Sequence, residues 1–266
     1  MTEMAISRTR RFEKYFGFVC PPGCADITPQ QFLGVSVKPV GVMQHLSYYP
    51  ETKYGSGVSE DGKRLAHLED GIAGMKDAKS DIVAQFGGYW SLDYCPDYGT
   101  AEDLQKRLTD EFEIPVVLNW VAIAEALRSV DAKRLSVATG YYRPLWSEAT
   151  IHFLESAGFE ICWWGDVIDQ GILADENAKM EVEAATLWDY PEDIVTRACV
   201  EAAKRASDCD VVLQTGAGMR TTYVAQAIEE EIGKPFIATD TSLFWALLRQ
   251  ANLKANQGSG SLLGSL

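Results

Sequence analysis

The sequence is short of positive charge. Its 266 residues carry 24 Lys and Arg against 38 Asp and Glu, a formal net charge of −14. A nucleic-acid surface needs a basic face to meet phosphates, so no nucleic-acid partner is expected. Histidine is scarce as well. His45, His67 and His152 are scattered and do not make the spaced set that a zinc site draws on, so no metal is expected. The six cysteines (Cys20, Cys24, Cys95, Cys162, Cys199 and Cys209) show no metal-type spacing. The chain is also too long for a small disulfide scaffold, and this cysteine usage fits a reducing cytoplasm. No apolar run approaches the roughly 20 residues that span a bilayer. Met1 to Arg11 lacks the apolar core of a secretory signal, so no membrane partner is expected. What is present is an ordinary globular composition, 47% hydrophobic and 23% charged. That is enough chain for a sizeable core in one large domain or two small ones.

The organising stretch is Asp210-Val-Val-Leu-Gln-Thr-Gly-Ala-Gly-Met-Arg220. It reads as a buried strand that stops at a Gly-rich turn and runs into a helix starting at Arg220. A similar stretch occurs earlier as Asp81-Ile-Val-Ala-Gln-Phe-Gly-Gly88, the two aspartates standing 129 residues apart (210 − 81). A second pair is Pro115-Val-Val-Leu-Asn-Trp and Pro235-Phe-Ile-Ala-Thr-Asp, 120 residues apart (235 − 115). Each continues into an apolar helix. The repetition predicts an α/β fold of two pseudo-symmetric, doubly wound halves, each a mostly parallel sheet flanked by helices. The halves are placed at 12–130, whose last helix is a candidate to cross over, and at 131–256. The Gly/Ser-rich residues 257–266 read as a flexible tail. In such a fold the ligand belongs in the cleft between the halves, at the carboxyl ends of the strands.

Along the chain, Tyr15 to Cys20 reads as the first strand. Thr28-Pro29 opens a short helix with Thr28 as its cap. Val35 to Met43 reads as a strand, and Pro39 inside it assigns it to a sheet edge. Tyr48, Tyr49 and Tyr54 fall in a polar, aromatic loop, after which Ser59 caps a helix. Residues 165 to 190 are the least regular stretch, read as a loop with a short helix.

Small residues at a strand tip let a ligand approach the backbone, and first-turn N–H groups favour an anion. Tight strand-to-helix turns alone would also use glycine, but two symmetric copies point to a site. The chain resembles the aspartate/glutamate racemase superfamily, in its maleate isomerase and arylmalonate decarboxylase branch. The resemblance runs from Val19-Cys-Pro-Pro-Gly23 to Phe244-Trp-Ala-Leu247 and rests on Thr139-Gly-Tyr141, Gly216-Ala-Gly-Met-Arg-Thr221 and Gly233-Lys-Pro-Phe-Ile237. It implies a cofactor-free lyase or isomerase that acts on a small carboxylic acid through an enediolate-like intermediate. It further implies a site built from Gly87, Gly88, Tyr89, Gly216, Ala217 and Gly218, with Pro22 as a further substrate contact and the Tyr141 hydroxyl on the substrate carboxylate. Arg220, near a helix start where its charge opposes the dipole, reads as the partner of a ligand anion or equally as a surface salt bridge.

Relatives of this kind place catalytic cysteines at one or both strand tips, and this chain has Gly87 and Gly216 there. Cys95, eight residues beyond Gly87 (95 − 87), is the thiol that could fold back, and nearby helix N-termini would lower its pKa. Asp93 and Asp97 are further candidate bases, though loop aspartates commonly shape turns. Gln85 and Gln214, late in equivalent strands, are expected either to brace the opposing tip loops or to reach the ligand. Tyr89, Trp90, Tyr94, Tyr98, Trp163 and Trp164 make the tips aromatic; if they line the cleft, the substrate is larger or flatter than maleate. Two alternatives stay open: a hydratase or hydrolase using an activated water, and a non-catalytic carboxylate-binding protein. Self-association is also left open.

Overall fold

The computed structural model describes residues 10–21, 27–47, 63–140 and 143–266. Two four-stranded parallel sheets organise it. The first has the order β2-β1-β3-β4, with β1 at Tyr15–Cys20, β2 at Gly41–Leu46, β3 at Ile82–Gln85 and β4 at Val116–Leu118. The second has the order β6-β5-β7-β8, with β5 at Arg134–Thr139, β6 at Glu160–Gly165, β7 at Val211–Thr215 and β8 at Phe236–Ala238. The identical winding of the two sheets is what the sequence repeat encodes. In each, the strand order reverses beside the first strand, so the crevice for a ligand opens at the carboxyl ends of β1 and β3, and of β5 and β7.

The aspartate that opens each repeat ties two strands together. Asp81 Oδ2 accepts the Tyr15 N–H at 2.7 Å. Asp210 Oδ2 accepts the N–H groups of Lys133 and Arg134 at 2.9 and 2.8 Å. Both carboxyls sit below the usual carboxylate range. For Asp81, burial pushes upward but is overcome by Arg10 and the Tyr15 N–H. For Asp210, the Arg134 and Lys133 N–H groups supply the downward pull.

Helices cover both sheets. In the first half they are α1 (Thr28–Leu33), α2 (Lys63–Asp77), α3 (Gly88–Ser91), α4 (Tyr98–Phe112) and α5 (Asn119–Ser129). The second half has α6 (Pro144–Ser156), α7 (Glu176–Thr186), α8 (Glu192–Arg205), α9 (Ala225–Ile232), α10 (Thr239–Ala251) and α11 (Gly260–Gly264). α5 and α10 pack on each other at the centre. α10 reaches β3 and β4 as well as β8, and α5 reaches β8 as well as β4. That crossing explains why α10 is apolar nearly all round, with Leu243, Phe244, Leu247 and Leu248 fully buried, as a helix enclosed on several sides requires. Asn119 Nδ2 donates to the Thr239 carbonyl at 2.9 Å, stitching the two helix starts together.

Three expectations change. The strand read as Val35 to Met43 begins only at Gly41, beyond the proline that cannot donate to a ladder, although β2 does lie at the sheet edge. Thr28 is the first helical residue of α1 and Ile27 precedes it as the cap position. The tail read as flexible is a docked helix: Leu262 and Leu263 are buried, and Ser261 bonds Glu229 through both its N–H and its hydroxyl. The irregular stretch 165 to 190 contains α7, capped by the Asp175 carboxylate on the Ala178 N–H. Ser59, Tyr48, Tyr49 and Tyr54 lie outside the described residues. No helix among the described residues is long and apolar enough to cross a membrane.

Candidate active site

The two glycine tips have the same construction. Gly87 follows β3 at φ 96° and Gly216 follows β7 at φ 111°, a region that costs a side-chain-bearing residue energy. Each tip is held by the glutamine two residues before it. Gln85 Nε2 donates to the carbonyls of Phe86 and Gly87 at 2.9 and 3.2 Å. Gln214 Nε2 donates to those of Thr215 and Gly216 at 2.6 and 3.3 Å. The expectation that each glutamine braces the opposing loop is therefore corrected, since each closes its own turn. A buried amide must find partners, and the nearest carbonyls are those of the tip itself.

Beyond the glycines the tips diverge. After Gly87 the chain turns at once into α3, which begins at Gly88. Tyr89, 6% exposed, stacks on Trp146 of α6 with centroids 4.6 Å apart. This contact joins the first tip to the second half. After Gly216 there is a turn, closed by the Met219 N–H on the Gly216 carbonyl at 3.0 Å. α9 starts at Ala225 and not at Arg220.

The cause of that delay is Asp240, in the first turn of α10. Its buried carboxylate accepts the N–H and hydroxyl of Thr221 (2.8 and 2.6 Å), those of Thr222 (2.9 and 2.8 Å) and the N–H of Thr241 (2.8 Å). Donors committed to a side chain hold Thr221 and Thr222 in a turn. The tip of β5 closes against the same turn: a Cβ on Gly140 would lie 2.5 Å from Met219 Sδ, so only glycine permits this approach.

Cys95 is 1% exposed in the apolar core, and its N–H donates to the Ser91 carbonyl at 2.8 Å. Burial, with the Asp97 charge adding to it, pushes its thiol up to about 12. The low-pKa thiol expected from nearby helix ends is thus corrected, because desolvation outweighs them. Asp97 caps α4, accepting the Thr100 N–H and hydroxyl at 2.9 and 2.8 Å. Asp93 pairs with buried Arg64 at 2.5 Å. Neither is presented as a base.

Arg220 is 7% exposed and pairs through Nη1 with Asp189. Asp189 sits on the turn after α7, and that turn also meets the tip, the Tyr190 N–H donating to the Gly218 carbonyl at 3.0 Å. Tyr141 and Pro22, with the side chain of Trp90, lie outside the described residues. Tyr98 packs under Arg128 and against Phe153, and Trp163 covers Gly165 on β6, so these two serve packing and do not gather at the tips.

Asp240, Trp146 and Asp189 were missed from the sequence. A signal existed for Asp240, since the other copy of the repeat has Trp120 at that place, and a charge where its equivalent is aromatic marks a specialised half. Among the described residues no group of three or more His, Cys, Asp or Glu side chains is placed to hold a metal ion.

Comparison with known proteins agrees with this architecture. The family model described as arylmalonate decarboxylase matches residues 65–263. A maleate isomerase of Nocardia farcinica is 27% identical over 148 residues, 53% of this chain and 51% of that protein, so the match spans about half of the relative's length. A maleate isomerase of Pseudomonas putida is 26% identical over 207 residues, 71% of this chain and 72% of the relative. Among solved structures, unliganded arylmalonate decarboxylase superposes with a TM-score of 0.76 at 18% identity, covering 95% of this chain and 100% of the other.

Proposed function

The chain belongs to the arylmalonate decarboxylase family, and we propose that it is a cofactor-independent lyase or isomerase, of the decarboxylase or cis–trans isomerase kind. Its substrate in this reading is a small carboxylic acid that reacts through an enediolate-like intermediate. The observation that carries the reading is the pair of glycine tips, each with a left-handed glycine and a glutamine brace, at the carboxyl ends of two like-wound sheets.

The chemistry follows from that geometry. An enediolate places two negative oxygens where the substrate had one carboxylate charge. Fixed N–H donors aimed at those oxygens stabilise the intermediate more than the ground state. The backbone N–H groups of Gly88, Tyr89, Ala217 and Gly218 are assigned this role, with the Tyr141 hydroxyl as a further donor. Gly87 and Gly216 admit the ligand to the backbone, and the family resemblance adds Pro22 as a substrate contact. Proton delivery is assigned to Tyr141, with Cys95 as the second choice. The second choice requires the turn at Leu92 to Cys95 to open, because that thiol is packed in the core.

The test is proton NMR in heavy water with maleate, aspartate and aryl-substituted malonates. The expected result is isomerisation, loss of CO2, or deuterium appearing next to a carboxylate. Carboxylate binding with no turnover across the panel would remove the chemistry and leave the cradle. Cys95→Ala is expected to retain turnover, and a loss of about 100-fold or more would restore the thiol as the acid.

A further inference from the structure

Arg220 is a buried guanidinium only partly satisfied by the protein. Nη1 pairs with Asp189, whose side chain is 47% exposed. Nε and Nη2 are both shut off from solvent and have no hydrogen-bond acceptor among the described residues. These two are the parallel donors along one edge of the guanidinium, the fork that matches the two oxygens of a carboxylate. Asp240, the buried carboxylate of the same turn, does not serve the fork, because Thr221, Thr222 and Thr241 occupy both of its oxygens. The fork belongs to the turn that starts at Gly216, two residues beyond Gly218. The turn is fixed from behind by Asp240 and from the side by Tyr190, whose N–H holds the Gly218 carbonyl. A buried charge normally completes its hydrogen bonds, and the unfilled edge has the geometry that matches an anion with paired oxygens.

We propose that the Nε–Nη2 edge of Arg220 binds a second carboxylate of the substrate, one that is retained through the reaction. This rests on the carboxylate-processing reading above and deepens it. A carboxylate that leaves as CO2 gives up its charge on the way to the transition state. An arginine fork on that group would stabilise the ground state more than the transition state and slow its loss. A carboxylate that survives keeps its charge throughout, and the fork then orients the substrate without that penalty. Arg220 is on this account a specificity-determining residue for substrates with two carboxylates, of which it holds the spectator.

The test compares succinate with butyrate, which replaces one carboxylate by a methyl group, in calorimetric titrations of the full chain. The wild type is expected to bind succinate at least about tenfold more tightly than butyrate. Arg220→Gln is expected to abolish that preference and leave butyrate affinity within about twofold. Arg220→Lys, a point charge without the fork, should not restore it. Should Arg220→Gln fail to fold, Asp189→Asn keeps the arginine and removes its competing carboxylate, and is expected to tighten succinate binding several-fold with butyrate unchanged. Equal binding of the two acids by the wild type overturns this inference alone. So does an equal loss for both acids in Arg220→Gln, which would make the arginine a brace of the turn, and so does an Asp189→Asn protein that binds succinate no better. Binding of neither acid by the wild type overturns this inference together with the carboxylate reading.

Discussion

Cys95 shows how far a residue's surroundings govern its chemistry. Eight residues from a strand tip, it was the thiol best placed in sequence to take over a missing nucleophile, yet the fold turns it into the core. Its raised pKa fixes two outcomes. At pH 8 the thiol of native Cys95 stays protonated, as does that of Cys199, which burial also raises. A disulfide reagent should therefore label Cys162, the partly exposed thiol among the described residues, and leave these two until the protein is unfolded; mass mapping of the labelled sites checks this. Because the folded values lie above the unfolded one, the native state holds these protons longer. Their contribution to stability is complete below the ordinary thiol value of 9.0 and is lost as pH rises towards about 12. Melting temperatures taken above pH 9 should fall, and a flat profile there would contradict the burial of these thiols.

Among the elements, the turn between β7 and α9 is the one that local sequence reading misplaces. Gly216 and Gln214 could be read from the repeat because their roles are local: the glycine takes the left-handed bend and the glutamine caps its own neighbours. The start of α9 could not, because the group that postpones it, Asp240, lies nineteen residues beyond Thr221, which it holds. α11 was hidden for a related reason, its Gly/Ser composition resembling a linker while two leucines supply the docking. Asp240→Ala would strand the buried donors of Thr221, Thr222 and Thr241, at a cost of roughly 3 kcal/mol or more. It should also let the turn that carries Arg220 relax, so turnover or carboxylate binding should fall along with the melting temperature. Asp240→Asn, which keeps an acceptor oxygen, should be milder in both. A melting temperature unchanged in the alanine variant would show that the carboxylate is not what holds the turn.

At the level of the whole molecule, the two-sheet architecture was legible because each half repeats the same strand, tip and helix order. The way the halves share helices was not, since nothing in an apolar helix states which sheet it will cover. α5 and α10 each reach the other half's sheet, and Asn119 bonds Thr239 between them. Each sheet takes part of its cover from the other half's central helix, so heat should unfold the protein in one cooperative step. Calorimetry should return equal calorimetric and van't Hoff enthalpies, and two resolved peaks would mean that the halves are separable. The same crossing bears on the order of events during synthesis. The first sheet emerges from the ribosome long before the helix that completes its cover, which begins 120 residues after α5 does (239 − 119). At about 5–20 residues per second that is roughly 6–24 s of waiting. During that interval β3 and β4 present apolar surface to the cell, so the nascent chain, more than the finished protein, is the form that a holding chaperone would meet.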